Sequence, residues 1–175
     1  LLSFARRRHE DKTVISIQEI LSDSMAQTAA QLRKDNIAVR TDLPDNLPHI
    51  LAQSHEIEQV FVNIISNARH ALQAKYPESH RDKVLRISAE PVRFNRREYV
   101  RVSFLDRGSG IPAAIIDRVM NPFFTTKTEG KRTGLGLSIS HGIMQDHDGR
   151  LTVQSRHGEH TRIDVDLPAQ PEGTP

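Results

Sequence analysis

The chain has 175 residues, contains no cysteine and carries a formal net charge of +2 at pH 7. The lack of cysteine excludes disulfides and thiolate metal sites, and no apolar run approaches the ~20 residues that a membrane-spanning helix needs. The basic residues are dispersed with few aromatic side chains among them, which argues against a nucleic-acid-binding surface. We expect one domain and, because the chain starts at Leu1 without methionine, a piece of a longer protein.

The first half of the chain predicts two helices separated by a short strand. Residues 1–8 are interpreted as the end of a helix, which the polar stretch EDKTV terminates. Apolar residues then recur at helical spacing from Ser16 to about Lys34. The next segment, IAVRTDLPDNLPHI, is typical of a strand followed by a proline-rich loop. Ser54 is the expected N-cap of a long amphipathic helix that ends near Ala74.

The second half predicts mainly strands. The segments VLRISAEPVRF and YVRVSFLD form an antiparallel hairpin through NRRE. A glycine turn and a short helix follow in RGSGIPAAIIDRVM, and the aperiodic NPFFTTKTEGKRT is interpreted as a loop. A helix from Leu135 to His147, the strands RLTVQS and TRIDVDLP, and a flexible tail over 169–175 complete the prediction. This order favours an α+β fold whose mixed sheet is covered on one face by helices.

Asn63 and Asn67 are the first candidate functional residues. They lie four residues apart on the long predicted helix, so they share a face at the border of its apolar stripe. Two neutral amides in such a position often cap a loop or hold a buried hydrogen-bond network. The alternative is that an asparagine carbonyl oxygen coordinates Mg²⁺, which prefers hard oxygen ligands. The helix alone leaves both interpretations open.

A carboxylate ends the second strand of the predicted hairpin. Asp106 is followed by Gly108 and Gly110 in LDRGSGIP, a pattern that also suits an ordinary surface turn. The run GSGIPA fits the dinucleotide-binding pattern G-x-G-x-x-A. That fold is disfavoured, because the short helix leads into an aperiodic loop with no second parallel strand.

Two further segments suggest a phosphate ligand. The loop NPFFTTKTEGKRT contains Lys127, which can reach an anion if the adjacent phenylalanines anchor the loop. A surface loop with a hydrophobic plug is the alternative. The segment TGLGLSIS, from Thr133 to Ser140, starts a helix with two glycines although glycine is a poor helix former. Because the free N–H groups of a helix N-terminus suit phosphate, the glycines favour close approach of a nucleotide.

The four segments NIISNARHAL, DRGSGI, NPFFTTK and TGLGLS stand in the order of the N, G1, F and G2 boxes of sensor histidine kinases. Over nearly its whole length the chain resembles the catalytic ATP-binding domain of that family, which belongs to the GHKL superfamily with DNA gyrase and MutL. The segment FFTTK is most similar to the nitrogen- and oxygen-regulation type. The resemblance implies the Bergerat fold, a two-layer α/β sandwich with a mixed, mostly antiparallel sheet covered on one face by three main helices. It also implies the end of a dimerisation helix with its linker over 1–12, the catalytic domain over 13–168 and the tail over 169–175.

The resemblance further implies a role for each matched residue. Asp106 accepts a hydrogen bond from the adenine amino group, and Thr161 supports that contact through water. Asn67 is the metal ligand and holds Mg²⁺, while Asn63 beside it and Lys127, which closes over the phosphates, are the catalytic residues. Gly108 and Gly110 let the backbone approach the adenosine. The backbone N–H groups of Gly134, Leu135 and Gly136 contact the phosphates. The implied nucleotide-binding residues are Asn67, His70, Ala71, Asp106, Gly108, Gly110, Ile111, Phe124, Thr125, Thr126, Lys127, Thr133, Gly134, Leu135, Gly136, Leu137 and Thr161.

The implied function is transfer of the ATP γ-phosphoryl group to a histidine on a dimerisation helix missing from this chain, for relay to a response-regulator aspartate. ATP and Mg²⁺ are the expected cofactors. Besides ATP and ADP, the expected partners are the histidine-bearing dimerisation domain of the same protein and a receiver domain, with no nucleic acid and no direct membrane contact. A cytoplasmic location is expected, and it is compatible with a parent protein anchored in the inner membrane.

Two observations bear on the mechanism. Hydrolytic relatives carry a glutamate base where this chain has Asn63, so no evident carboxylate activates water. His9, in HEDKTVI, is not expected to be the phosphoacceptor, because only one helix separates it from the N box. Autophosphorylation of the chain alone is therefore not expected. The alternatives are a GHKL ATPase or serine kinase, and a degenerate module that only binds partners.

Four residues depart from the family pattern. Arg107 replaces an asparagine, Arg132 a glycine, Asp148 the first of two glycines, and His160 the glycine before Thr161. None of them removes an implied ligand. We therefore expect these departures to alter nucleotide affinity and lid motion rather than the function itself.

Overall fold

A computed structural model describes residues 12–121 and 136–170 of the chain. The elements follow in the order β1 (Thr13–Ile15), α1 (Ile17–Lys34), β2 (Ala38–Asp42), β3 (Ile50–Ala52), α2 (Ser54–Lys75), β4 (Val84–Phe94), β5 (Arg97–Asp106), α3 (Ala113–Ile116), α4 (Gly136–Asp146), β6 (Arg150–Arg156) and β7 (His160–Pro168). Within these two ranges, no helix combines the length and the apolar character needed to cross a bilayer.

Five of the strands form a mixed sheet in the order β2-β4-β5-β7-β6. Strand β2 runs parallel to β4, and the three other neighbouring pairs are antiparallel. Along β4 the side chains of Leu85, Ile87 and Ala89 are buried while Arg86 and Glu90 are exposed, which is the alternation of a sheet covered on one face. The predicted α+β sandwich and its long hairpin are therefore confirmed.

Helix α2 forms the centre of the covering layer, with α1 and α4 packed on either side of it. Its apolar residues recur every three or four positions and are all buried: Ile57, Val60, Phe61, Ile64, Ile65, Ala68 and Leu72. The ring of Phe61 lies 5.4 Å from the ring of Phe104 on β5. This stripe fixes which side of α2 faces the sheet, and it places Asn63 and Asn67 at the border of the core.

The start of α2 differs from the prediction. Ser54 is the first helical residue, and the N-cap is Gln53, which makes no side-chain capping hydrogen bond. Its backbone oxygen accepts from the N–H groups of Glu56 and Ile57, and its own N–H donates to Nε2 of His147 at 3.1 Å. The prediction was wrong because a tertiary contact, rather than a local serine cap, fixes this end.

Two short strands were also missed. Strands β1 and β3, of three residues each, pair antiparallel as a separate two-stranded sheet. Such short segments are too brief to show alternation, and β3 lies in a stretch interpreted as loop. The chain also remains paired beyond β7, since Ala169 N donates to Glu98 O at 2.9 Å and Gln170 N donates to His49 O at 2.7 Å. These two residues were assigned to the flexible tail, and residues 171–175 lie outside the described ranges.

Candidate nucleotide-binding site

Asp106 is a buried carboxyl group at the end of the central strand β5. Asp106 is 5% exposed, and its side chain lies on the same face of β5 as the side chain of the core residue Phe104. Its Oδ1 accepts a hydrogen bond from the N–H of Gly108 at 2.8 Å. Burial raises the pKa of Asp106 to about 7, although the Gly108 N–H and the positive charge of Lys75 act in the opposite direction. A carboxyl group that titrates near neutrality is thus placed at the edge of the helical layer.

Thr161 lies directly beside Asp106, as its register partner on β7. The hydroxyl oxygen of Thr161 is 2.9 Å from Oγ of Ser155. Ser155 donates its one hydroxyl proton to His160 O at 2.8 Å and accepts from the N–H of Ile111 at 2.8 Å. The Thr161 hydroxyl is therefore the donor in the pair, and its own oxygen can still accept a hydrogen bond. No sequence pattern singled out Ser155, which occupies an ordinary strand position.

The glycine turn after β5 packs against protein backbone. A Cβ atom on Gly108 would lie 2.6 Å from both the carbonyl carbon and the Cβ of Ala71 on α2. Gly110 has a φ of +64°, and a Cβ atom there would lie 2.2 Å from the carbonyl oxygen of Arg156. The family resemblance implies that these glycines let the backbone approach the adenosine. The close approaches that the structure shows are to α2 and to the end of β6, and the approach of the adenosine stays a prediction.

Backbone hydrogen bonds hold this turn in place from two sides. Ser109 N donates to Ala71 O at 3.2 Å, and Gly158 N donates to Ser109 O at 2.7 Å. Lys75, in the last turn of α2, adds donations from Nζ to the carbonyl oxygens of Arg107 at 3.0 Å and Gly158 at 2.9 Å. The turn is therefore fixed between α2 and the β6–β7 connection, and sequence reasoning missed the lysine that joins them.

Asn63 connects α2 to the start of α4. Its amide nitrogen donates to Gly136 O and to Ser140 Oγ, both at 3.3 Å. A Cβ atom built on Gly136 would lie 3.9 Å from Cγ of Asn63. The side-chain nitrogen of Asn63 therefore takes part in a hydrogen-bond network, which is one of the two interpretations that the sequence left open. Asn67 lies one turn further along α2 and is half-buried.

The remaining predicted residues fall into two groups. His70 is half-buried with Nδ1 against the carbonyl oxygen of Ser66, and Leu137 packs on the core from the first turn of α4. The predicted loop and helix-start residues Phe124, Thr125, Thr126, Lys127, Thr133, Gly134 and Leu135 lie outside the described residues, as does Arg132.

Three departures from the family pattern fall in described regions. Arg107 is exposed and donates to Oδ1 of Asp82 at 3.1 Å. Asp148 keeps the left-handed conformation suited to the glycine it replaces, with a φ of 52°. Aspartate is among the few non-glycine residues enriched in this conformation, so the turn before β6 is retained. His160 begins β7 without interrupting its pairing to β6.

Comparisons with known proteins agree with this geometry. Residues 52–171 match the family described as histidine kinase-, DNA gyrase B-, and HSP90-like ATPase. The chain is 36% identical to the two-component sensor PprA of Pseudomonas aeruginosa over 78% of its own length, and 33% identical to the sensor kinase CckA of Brucella abortus over 96%. It spans only 14% and 18% of those two proteins.

A solved structure gives the corresponding result for the fold. The catalytic domain of histidine kinase ThkA superposes with a TM-score of 0.74 at 27% identity, covering 93% of this chain and 98% of that one. The matched family covers the described site from Asn63 to Thr161. The chain therefore belongs to the histidine kinase-, DNA gyrase B-, and HSP90-like ATPase family, and it is homologous to the catalytic domains of two-component sensor histidine kinases.

Proposed function

We propose that the chain binds ATP and transfers its γ-phosphoryl group to a histidine on a dimerisation helix elsewhere in the same protein, from which a response-regulator aspartate receives it. The observation that carries this proposal is the buried carboxyl group of Asp106 beside the glycine turn. We place the domain in the nitrogen- and oxygen-regulation type on the segment FFTTK. The proposed division of the chain is a helix end with its linker over 1–12, the catalytic domain over 13–168 and a tail beyond it.

The adenine end of the site is proposed to lie at Asp106. A carboxylate only accepts hydrogen bonds, so it selects a ligand edge that donates, such as the exocyclic amino group of adenine. Burial raises the pKa of Asp106 to about 7, and an amino donor would favour the ionised form that burial disfavours. Thr161, as the register neighbour of Asp106, presents acceptor lone pairs on the same side.

The phosphate end is proposed to lie between α2 and the start of α4. The bonds from Asn63 to Gly136 and Ser140 bring these two helices together where the first N–H groups of α4 point out of the helix. Such N–H groups bind phosphate oxygens. The sequence segment before α4 would supply the rest, with Lys127 over the phosphates and Phe124, Thr125, Thr126, Thr133, Gly134 and Leu135 around them.

The residues at this end also suit a magnesium ion. Mg²⁺ is usually bound by one or two protein oxygens together with water and substrate phosphates. Asn67 supplies a hard amide oxygen one turn from Asn63, on the side of α2 that borders α4. When bound, Mg²⁺ would neutralise charge on the β- and γ-phosphates. Asn67 would hold the ion and Asn63 would keep α4 aligned with it.

Phosphoryl transfer to another protein group suits this set of residues better than hydrolysis. The reaction depends mainly on positioning and charge neutralisation rather than covalent chemistry by the enzyme. Position 63 carries an amide, which is not a base that deprotonates water. A GHKL ATPase or serine kinase is the second candidate, and steady ATP hydrolysis without a histidine-bearing partner would favour it.

The proposal is tested by calorimetric titration of a non-hydrolysable ATP analogue in the presence of Mg²⁺. We expect Asp106→Asn to weaken binding by about tenfold or more, which corresponds to about 1.4 kcal/mol or more. Asp42→Asn, an exposed aspartate on the edge strand β2, is the matched control and should bind as the unchanged chain does. Equal affinities of all three chains would remove Asp106 as the adenine contact.

A second measurement addresses the transfer step. The chain is incubated with labelled ATP and a separately supplied dimerisation domain that carries the acceptor histidine. We expect label on that domain and none on the chain alone. Label that appears on the chain itself, or turnover of ATP without the acceptor, would contradict histidine phosphotransfer.

A further inference from the structure

The face of the sheet opposite the helices carries a basic pocket of about 240 Å³. We call it the arginine pocket, and its lining residues are Arg40, Arg81, Asp82, Val84, Arg86, Leu105 and Arg107. It lies on the other side of the sheet from the site described above, because Asp106 points toward the helices and its neighbours Leu105 and Arg107 do not. The nucleotide site therefore does not account for it.

Strand register places two of these arginines side by side. Arg40 on β2 is the direct partner of Arg86 on β4, and Leu105 on β5 is the partner of Arg86 on the other side. Like charges directly opposite each other on neighbouring strands are destabilising. Within residues 12–121 and 136–170, neither Arg40 nor Arg86 has a carboxylate within 4.0 Å. The fold thus maintains an uncompensated pair of guanidinium groups.

Asp82, the one acidic residue among the lining residues, does not neutralise the positive charge of the arginines. Asp82 accepts from Arg107 at 3.1 Å, and its other oxygen lies 3.8 Å from Arg81 and 3.9 Å from His80. The pocket lining therefore has four arginines and one aspartate, a formal excess of three positive charges. Val84 and Leu105 contribute apolar surface between the charged groups, which lowers the local dielectric and strengthens the field that an anion would meet.

We propose that the arginine pocket is a binding site for a phosphate-class oxyanion. Guanidinium groups bind phosphate through paired, charge-assisted hydrogen bonds, and two adjacent forks match one tetrahedral anion. The volume of the pocket is below the range of about 300–1,000 Å³ typical of drug-sized ligands, so a small anion or a single phosphoryl group fits it best. The guanidinium group of Arg107, one of the departures from the family pattern, lines this pocket, whereas its carbonyl oxygen accepts from Lys75 at the glycine turn.

The experiment follows arginine side-chain Nε–Hε and backbone amide signals of the 15N-labelled chain by NMR during titration with inorganic phosphate. We expect the Nε–Hε signals of Arg40, Arg86 and Arg107 to shift together and saturably. The backbone signal of Gly136, which is remote from the pocket lining, reports the nucleotide site in the same spectra, so binding at the two faces is distinguished. Chloride at equal ionic strength is the control for non-specific screening.

Variants test which charges carry the binding. R40Q/R86Q should weaken phosphate binding at this face by about tenfold or more, because it removes the unpaired guanidinium groups. R93Q/R97Q removes the same number of charges from the exposed hairpin end and should leave the affinity within about twofold. Loss of the like-charge pair is not expected to lower the melting temperature, so the variant remains folded for comparison.

The source of the phosphoryl group is distinguished by a parallel titration with N-acetyl-phosphoserine amide. Tighter binding of inorganic phosphate identifies a free anion as the ligand, and tighter binding of the phosphoserine compound identifies a phosphoryl group carried by a larger molecule. The proposal is overturned if phosphate at high concentration shifts none of the three arginine signals beyond the chloride control. It is also overturned if R93Q/R97Q weakens the binding as much as R40Q/R86Q does.

Discussion

The ammonium group of Lys75 donates a hydrogen bond to the carbonyl oxygen of Gly158 at 2.9 Å, joining residues 83 positions apart. The same group contacts the carbonyl oxygens of Arg107 at 3.0 Å and Glu159 at 3.4 Å. One side chain therefore connects the end of α2, the glycine turn and the β6–β7 turn. Its charge also lowers the pKa of Asp106 against the larger effect of burial. Lys75 is thus a positioning residue for the proposed adenine contact.

Lys75→Met should reduce nucleotide affinity by about tenfold, because three carbonyl groups lose a charged donor. It should also raise the pKa of Asp106 further, since the nearby positive charge is removed. Binding of the amino group requires the ionised carboxylate, so the fall in affinity on acidification should begin at a higher pH in the variant. Calorimetric affinities across a pH series measure this midpoint.

Lys34→Met is the matched control, since Lys34 is an exposed basic residue in the last turn of α1. It should change neither the affinity nor the pH midpoint. A lower affinity of Lys75→Met with an unshifted midpoint would show that Lys75 acts only through the turn and not on the charge of Asp106.

Because Asp106 is buried, we expect its contribution to the free energy of unfolding to fall as the pH rises. Its pKa is raised from the ordinary value of 3.8 to about 7 in the folded state, so the folded chain holds more protons than the unfolded chain between these values. The contribution is fully present below about pH 4 and is lost progressively as the pH approaches about 7, by up to about 4 kcal/mol.

The measurement is the difference in unfolding free energy between the chain and Asp106→Asn at several pH values. Asparagine does not ionise, so the variant should gain stability relative to the unchanged chain as the pH rises, while other titrating groups cancel in the difference. A difference that does not vary with pH would contradict the raised pKa. The same variant is expected to lose nucleotide affinity, which separates stability from binding.

Gly108→Ala should destabilise the domain by about 2 kcal/mol or more, because the added Cβ would lie 2.6 Å from the backbone of Ala71. Gly142→Ala is a control of the same chemistry within α4, where no described atom beyond the adjacent residues and the backbone of its own helix lies within 4 Å of the added Cβ. It should stabilise the domain by about 0.5–1 kcal/mol, as alanine does in a helix interior. Denaturant unfolding of both variants checks the opposite signs.

Replacing Asn63 should lower stability, whereas replacing Asn67 should change the magnesium dependence of nucleotide binding. Asn63→Ala breaks the bonds from α2 to Gly136 and Ser140 and should lower the unfolding free energy by about 1 kcal/mol. Asn67→Ala should leave stability nearly unchanged and abolish the increase in nucleotide affinity that Mg²⁺ provides. Titrations with and without Mg²⁺ measure the second effect. A magnesium dependence that survives in Asn67→Ala would exclude this residue as the ligand.

The sequence was most informative where a repeated pattern carried the information. The apolar spacing of α2 and the alternation along β4 and β5 predicted the helical layer, the hairpin and the position of Asp106 at a strand end. Long elements average over many residues, so one unusual side chain does not alter the result. Three of the four site motifs were equally visible because they include glycine or proline, which are costly in regular structure, such as Gly110 with its positive φ.

Contacts between distant segments could not be predicted in this way. The partners of Lys75 are backbone carbonyl groups, which every residue possesses, so no sequence pattern identifies them. The start of α2 depends on His147 far along the chain, and the glycines of the turn lie against Ala71 and Arg156, which are distant in sequence. The arginine pocket likewise exists only because strand register places Arg40 beside Arg86.

Strand β5 is hydrogen-bonded along both of its edges, to β4 and to β7, and Asp106 is its last residue. Amide protons at its buried centre, as at Val102, exchange with solvent only when the whole domain opens. A ligand held by Asp106 stabilises the domain by mass action, so it slows exchange at these amides by the same free energy. Deuterium uptake in the middle of β5 therefore measures nucleotide occupancy, and this does not require contact between the ligand and these amides.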